Sequence, residues 1–200
     1  MIRIITVFAL LITINSFSQD TEEFYQKGLA LQNEGNDTNA IEYYSKSIAL
    51  DSTNAKAYLN RGVAYSRLNN MELALNDFNQ ALNIDEKLAE GYYQRARWNM
   101  TRKYYKKVVL DMEEAINIDA SQSDYYLLRG VANANSGNIY VAMEDYKMSI
   151  KLDPMNAKAY INRGFTKMTL NDIQGACEDF REAKSLGYKA TSVQISNYCE

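Results

Sequence analysis

Histidine is absent from the 200 residues, and proline occurs once, at Pro154. The first absence removes the commonest general base and the commonest protein metal ligand together, so neither a Ser-His-Asp set nor an HExxH metal site can be assembled. The second leaves helix unbroken almost throughout, because proline removes a helical donor and clashes with the preceding turn. Cysteine is scarce: Cys177 and Cys199 stand far apart with no CxxC spacing, which argues against redox or metal roles. A Gly-rich phosphate loop is missing too. Neither charge sign dominates, with 22 bases, 25 acids and a formal charge of -3. That is too weak to argue for a nucleic-acid or membrane-surface partner. What remains is an ordinary globular composition, 46% apolar and 24% charged, of a length that suits one domain.

Only one long apolar run exists. Ile4 to Ile14 follows Arg3 and precedes Ser16-Phe17-Ser18. A short basic start, an apolar stretch and small residues at the cleavage positions predict a signal peptide over residues 1–18, cut between Ser18 and Gln19. Eleven apolar residues fall short of the roughly 20 that span a bilayer, so a retained anchor is the lesser alternative. Losing Arg3 takes the charge from -3 to -4. The expected product is exported, periplasmic or secreted, and not a transmembrane protein.

The main content is a repeat. Gly28, Gly62, Ala96, Gly130 and Gly164 are each separated by 34 residues. The same step relates Phe24, Tyr58, Tyr92, Tyr126 and Tyr160. It relates Ala40, Ala74, Val108, Ala142 and Ala176, then Tyr44, Phe78, Met112, Tyr146 and Phe180, then Ser47, Ala81, Ala115, Ser149 and Ala183. Within a unit, Tyr58, Gly62 and Tyr65 share one helix face, and Ala74, Phe78, Ala81 and Leu82 share another. Gly35-Asn36, Asn69-Asn70, Gly137-Asn138 and Asn171-Asp172 interrupt the two, and such residues tolerate the left-handed backbone that closes a helix. Each unit is therefore a helix-turn-helix whose small residues let backbones approach. Repeat three departs most: Lys103-Tyr104, Val108 and Met112 predict a distorted or wider turn.

A 34-residue unit with this order of aromatic and small residues resembles the tetratricopeptide repeat. The resemblance covers about 170 residues, as units 21–54, 55–88, 89–122, 123–156 and 157–190, followed by a cap over 191–200. It implies an all-α fold, a right-handed solenoid of five repeats with first helices lining a concave groove.

Arg61, Arg95, Arg129 and Arg163 precede the small residue of each first helix. Asp77, Asp111, Asp145 and Asp179 lie 16 residues on. The planar guanidinium suits bidentate carboxylate pairing, so four structural ion pairs are expected; the alternative is an arginine ladder for an anionic ligand. Repeat one holds Lys27 and Tyr43 there and lacks the acid. Cys177 and Cys199 flank the Gly187-Tyr188 turn, with residue 188 at their midpoint. In an antiparallel hairpin such residues face each other, so a disulfide is favoured over free thiols in an exported chain.

Groove positions carried over from the family fall on Tyr25, Leu29, Leu59, Val63, Tyr93, Arg97, Leu127, Val131, Ile161 and Phe165, with Met100 and Met168 a turn further on. They imply a mostly apolar groove, although some of these residues could instead pack against a neighbouring repeat. Members that grip the C-terminal carboxylates of cytosolic heat-shock chaperones use Lys, Asn and Arg here, so that clamp is not implied. The expected function is a non-catalytic scaffold holding a peptide or protein segment, with no cofactor, metal, nucleic acid or small-molecule substrate. The alternative is a structural subunit or assembly factor of an envelope complex, acting through the convex face or the repeat-three bases Arg95, Arg97, Arg102, Lys103, Lys106 and Lys107.

Overall fold

The computed structural model describes residues 19–189 and Cys199. The expected leader over 1–18 lies outside the described residues, as does the expected capping helix of 191–200 apart from Cys199. The described chain forms α1 (19–33), α2 (Asp37–Leu50), α3 (Ala55–Arg67), α4 (Met71–Ile84), α5 (Ala89–Thr101), α6 (Tyr105–Ile118), α7 (Ser123–Asn135), α8 (Ile139–Leu152), α9 (Ala157–Thr169) and α10 (Ile173–Ser185). No strand occurs among the described residues. No helix there is long and apolar enough to cross a membrane.

Two kinds of turn alternate. Inside each pair the chain reverses at a left-handed residue: Gly35 (φ 78°), Asn69 (63°), Lys103 (59°), Gly137 (83°) and Asn171 (62°). The next N–H then reaches back to a carbonyl of the finished helix, as in Asn70 N to Tyr65 O (2.8 Å) and Asn138 N to Asn133 O (2.9 Å). That bond satisfies an otherwise orphaned helix-end acceptor. The distorted turn expected at repeat three does not occur. Tyr104 N reaches Asn99 O at 3.0 Å in the same pattern. The closing bond sets the geometry, so the misfit is absorbed by Lys103, an L residue held at positive φ.

Between pairs, Asp51, Asp85, Asp119 and Asp153 end their helices. Each carboxylate accepts the N–H two residues on, from Thr53 (2.8 Å), Lys87 (2.9 Å), Ser121 (2.9 Å) and Met155 (3.0 Å). This is the aspartate turn that replaces a backbone turn. Hydrogen bonds from Thr53 and Ser121 hold the Asp51 and Asp119 carboxyls below the usual range.

The described residues divide into two compact units, with the break between Gln94 and Arg95. In the first, α3 packs on α2 and α4; in the second, α7 packs on α6, α8 and α9, and α10 on α9. A Cβ added at Gly28, Gly62, Gly130 or Gly164 would come within 2.5–2.8 Å of the Tyr44, Phe78, Tyr146 or Phe180 ring. Those rings are themselves buried. Repeat three carries both changes together: Ala96 stands for the glycine and Met112 for the ring, and both are fully buried. A flexible thioether accommodates the extra methyl where a rigid ring would not.

Two of the small core positions are polar. Ser47 Oγ donates to Thr21 O at 3.0 Å, and Ser149 Oγ lies 2.9 Å from Ser123 Oγ, so both buried hydroxyls are satisfied. In the last repeat Cys177 is bonded to Cys199, with Cα atoms 5.4 Å apart. Cys199 and Tyr188 lie against the core formed by Ile161, Ala176, Phe180 and Ala183. Tyr188 and Cys199 thus cover apolar surface of this repeat.

Gly130→Leu is expected to lower stability by about 2–3 kcal/mol through overpacking against Tyr146, read as a lower urea midpoint; an unchanged midpoint refutes the close approach. Lys103→Gly is expected to raise stability by about 0.5–1 kcal/mol by relieving the left-handed strain. A lower midpoint would show that the strain is not there.

Candidate interaction site

Four guanidinium–carboxylate pairs join the helices of repeats two to five. Arg61 Nε and Nη2 donate to Asp77 at 2.8 Å each, and Arg163 Nε and Nη2 to Asp179 at 2.9 and 2.7 Å. Arg95 Nη2 reaches Asp111, and Arg129 Nη2 reaches Asp145, both at 2.7 Å. The aspartates are buried. A third donor completes three of them: Asn99 Nδ2 to Asp111 (3.0 Å), Asn133 Nδ2 to Asp145 (3.2 Å) and Lys167 Nζ to Asp179 (3.0 Å). Arg61 donates further to Ser45 Oγ at 3.0 Å. The hydrogen bonds they donate to the aspartates raise Arg61 and Arg163 above their ordinary values, so both guanidinium groups stay charged.

The arginines also stack on the aromatic at the start of their own helix. Arg61 lies 5.4 Å from the Tyr58 ring centroid, Arg129 5.6 Å from Tyr126 and Arg163 5.5 Å from Tyr160. Repeat one fills the same two places differently: Lys27 Nζ sits 4.7 Å over the Tyr43 ring. A cation on a ring replaces a cation on a carboxylate. With acceptors and ring faces already engaged, these arginines are tied into the scaffold.

The groove positions separate by depth. Leu59, Leu127 and Ile161 are only 6%, 9% and 4% exposed and belong to the repeat cores. That depth puts them in the core rather than on an open groove face. Each lies three residues before its glycine and therefore on the face that meets the second helix. Val63, Val131 and Met168 are half-buried against the same cores. Tyr25, Leu29, Tyr93 and Met100 are half-buried as well, and the Tyr25 hydroxyl accepts from Asn60 Nδ2 at 3.0 Å. Arg97 and Phe165 are exposed.

Two of these residues meet in one place. Val131 of α7 and Phe165 of α9 line an open recess of about 210 Å³ with Ala134, Asn135, Asn162, Thr166 and Thr169, closed below by Ile139 and Tyr146. The Phe165 ring rests on Phe180, centroids 5.1 Å apart. Asn135 Nδ2 donates to Val131 O and Asn162 Nδ2 to Lys158 O, both at 2.8 Å, which orients each amide along its own helix. Burial pushes the Tyr146 hydroxyl up to about 12, so the floor is neutral, and no lining residue is charged. The recess offers apolar surface beside amide and hydroxyl groups, with no side chain suited to acid–base chemistry.

Asn135, Asn162 and Thr169 were not among the expected groove residues, yet the repeat carried a signal for them. Gln26, Asn60, Gln94, Leu128 and Asn162 are in register, and so are Asn33, Arg67, Thr101, Asn135 and Thr169. Four side-chain amides in one series, and an unbroken polar series in the other, mark two faces that the core does not use.

Tetratricopeptide repeat models match residues 55–88 and 157–186, and a TPR repeat model matches 28–69. No protein of curated function matches the chain. Several solved structures share the fold. MamA (residues 41 to the end) from Desulfovibrio magneticus RS-1 is 18% identical with a TM-score of 0.76, covering 84% of this chain and 94% of its own. YrrB, a TPR protein with an unusual peptide-binding site, is 20% identical with a TM-score of 0.76, covering 94% and 97%. PilF from Pseudomonas aeruginosa is 15% identical with a TM-score of 0.80, covering 91% and 85%. The shared fold is an all-α solenoid.

Asp145→Ala strands Arg129 and Asn133 without their acceptor. It is expected to cost about 2–4 kcal/mol, the partial exposure of Arg129 keeping it near the low end. Thermal denaturation of Asp145→Ala, Arg129→Ala and the double variant measures the coupling; additive losses would show that the pair contributes nothing.

Proposed function

We propose, from the premise that this chain is a tetratricopeptide repeat protein, that it is a non-catalytic scaffold which holds an extended polypeptide segment against the first helices of its repeats. The observation that carries this reading is the neutral recess between α7 and α9. An extended backbone brings one N–H and one C=O per residue, and side-chain amides answer both. Phe165 and Val131 supply the apolar surface that anchors an alternate side chain. The peptide-binding site named for YrrB, a protein of the same fold, supports the same kind of use.

The remaining groove candidates, Tyr25, Leu29, Val63, Tyr93, Arg97, Met100 and Met168, extend this reading to other repeats. Export to an oxidising compartment is part of the proposal. The Cys177–Cys199 bond suits such a compartment, where disulfides persist. The basic and apolar pattern of residues 1–18 suits a cleaved leader.

The test is affinity capture from envelope extract with the wild-type chain and with Val131→Ser/Phe165→Ser, read by mass spectrometry. Loss of the captured protein by the variant, at unchanged helical circular dichroism, is expected. Equal capture by both chains removes the recess as the binding site.

A further inference from the structure

The repeat supplies its own control for the α5–α6 turn, because every residue there has four counterparts at 34-residue steps. None of the counterparts of Arg102, Lys103, Lys106 or Lys107 is Lys or Arg. The fold is thus built four more times without a base at any of these places. Trp98 stands where the other repeats have Ala30, Ala64, Ala132 and Thr166. Tyr104 stands where they have Asn36, Asn70, Asn138 and Asp172, residues able to cap a helix.

Three local rules fail together in this turn. Tyr104 precedes α6 with a side chain unable to cap it, where the other four repeats hold Asn or Asp. Lys103 holds a φ of 59°. Trp98 Nε1 is buried with no hydrogen-bond partner. Concentrated departures of this kind mark positions kept for something other than folding. The side chains form one layer. The Trp98 and Tyr104 ring centroids are 6.4 Å apart, Arg102 lies 5.2 Å over Trp98, and Lys107 Nζ lies 5.2 Å over Tyr104. No acid occurs from Arg97 to Leu110. Lys103, Lys106 and Lys107 are exposed and make no ion pair with a carboxylate among the described residues.

We propose that the α5–α6 turn is a docking surface for an acidic polypeptide segment, whose carboxylates pair with Lys103, Lys106 and Lys107 beside the Trp98–Tyr104 layer. A nucleic acid is disfavoured because the cations already occupy the ring faces on which bases would stack. The site is independent of the recess between α7 and α9, and its partner is of opposite character: charged rather than neutral.

Trp98 is the single tryptophan of the chain, so its fluorescence reports on this turn alone. The full chain is titrated with an oligoglutamate peptide of about ten residues, and with oligoglutamine as the uncharged control, at low and high salt. The expected result is a saturable change in Trp98 emission with oligoglutamate only, weakened by salt. Lys103→Glu/Lys106→Glu/Lys107→Glu should weaken it at least about tenfold, and the milder Lys106→Gln/Lys107→Gln should weaken it less, both at unchanged circular dichroism. Phe165→Ser should leave the titration as in wild type, which separates this site from the recess. The proposal is overturned if oligoglutamate gives no response, if the charge-reversed chain binds equally well, or if phosphatidylglycerol vesicles or oligothymidylate bind more tightly than the peptide.

Discussion

In four of the five first helices the backbone lies against a buried aromatic ring sixteen residues later. That approach leaves no room for a Cβ at Gly28, Gly62, Gly130 or Gly164. It sets the separation of the paired helices, and the separation sets everything next to it. The residue before the small position and the residue before the large one are brought to the same edge of the seam. There Arg61, Arg129 and Arg163 meet Asp77, Asp145 and Asp179. Without the glycine the ring could not seat, and without the seated ring the ion pair would lose its wall.

The polar edge is built to be closed rather than to bind. Each aspartate is buried and takes two nitrogens of its arginine, with an amide, an ammonium or a neighbouring hydroxyl near at hand. A buried carboxylate is tolerable when its lone pairs are answered in this way. Repeat one shows that the place asks for a cation and a polarisable partner, not for an aspartate as such, since Lys27 on Tyr43 serves it. An anionic ligand would have to displace those bonds to reach the arginines.

Repeat three keeps the frame while changing its contents. Ala96 and Met112 change together, so the core remains full. The turn retains its closing bond although Lys103 replaces Gly or Asn. Because the frame tolerates these exchanges, the turn is free to carry Trp98, Tyr104 and four bases. The second unit therefore presents two surfaces of different chemistry, a neutral recess between α7 and α9 and a basic turn between α5 and α6.

The 34-residue period determined the all-α helix-pair architecture, the helix and turn positions, and the arginine–aspartate partnership, because a repeat compares itself with its own copies. The same comparison holds a signal for Asn162 and Asn135, because the positions in register with them stay largely polar, but it shows only once one asks which positions the core leaves out. Composition and spacing alone could not say how deep a groove position lies. Leu59 and Phe165 are both apolar residues of a first helix, yet one is 6% exposed and the other 38%. Depth depends on which face meets the second helix and which meets the next repeat, and that is settled by three-dimensional packing. The turn at Lys103 shows the same limit: its residues predict distortion, but the hydrogen bond from Tyr104 to Asn99 holds the geometry, and only the folded chain decides that the strain falls on one φ angle.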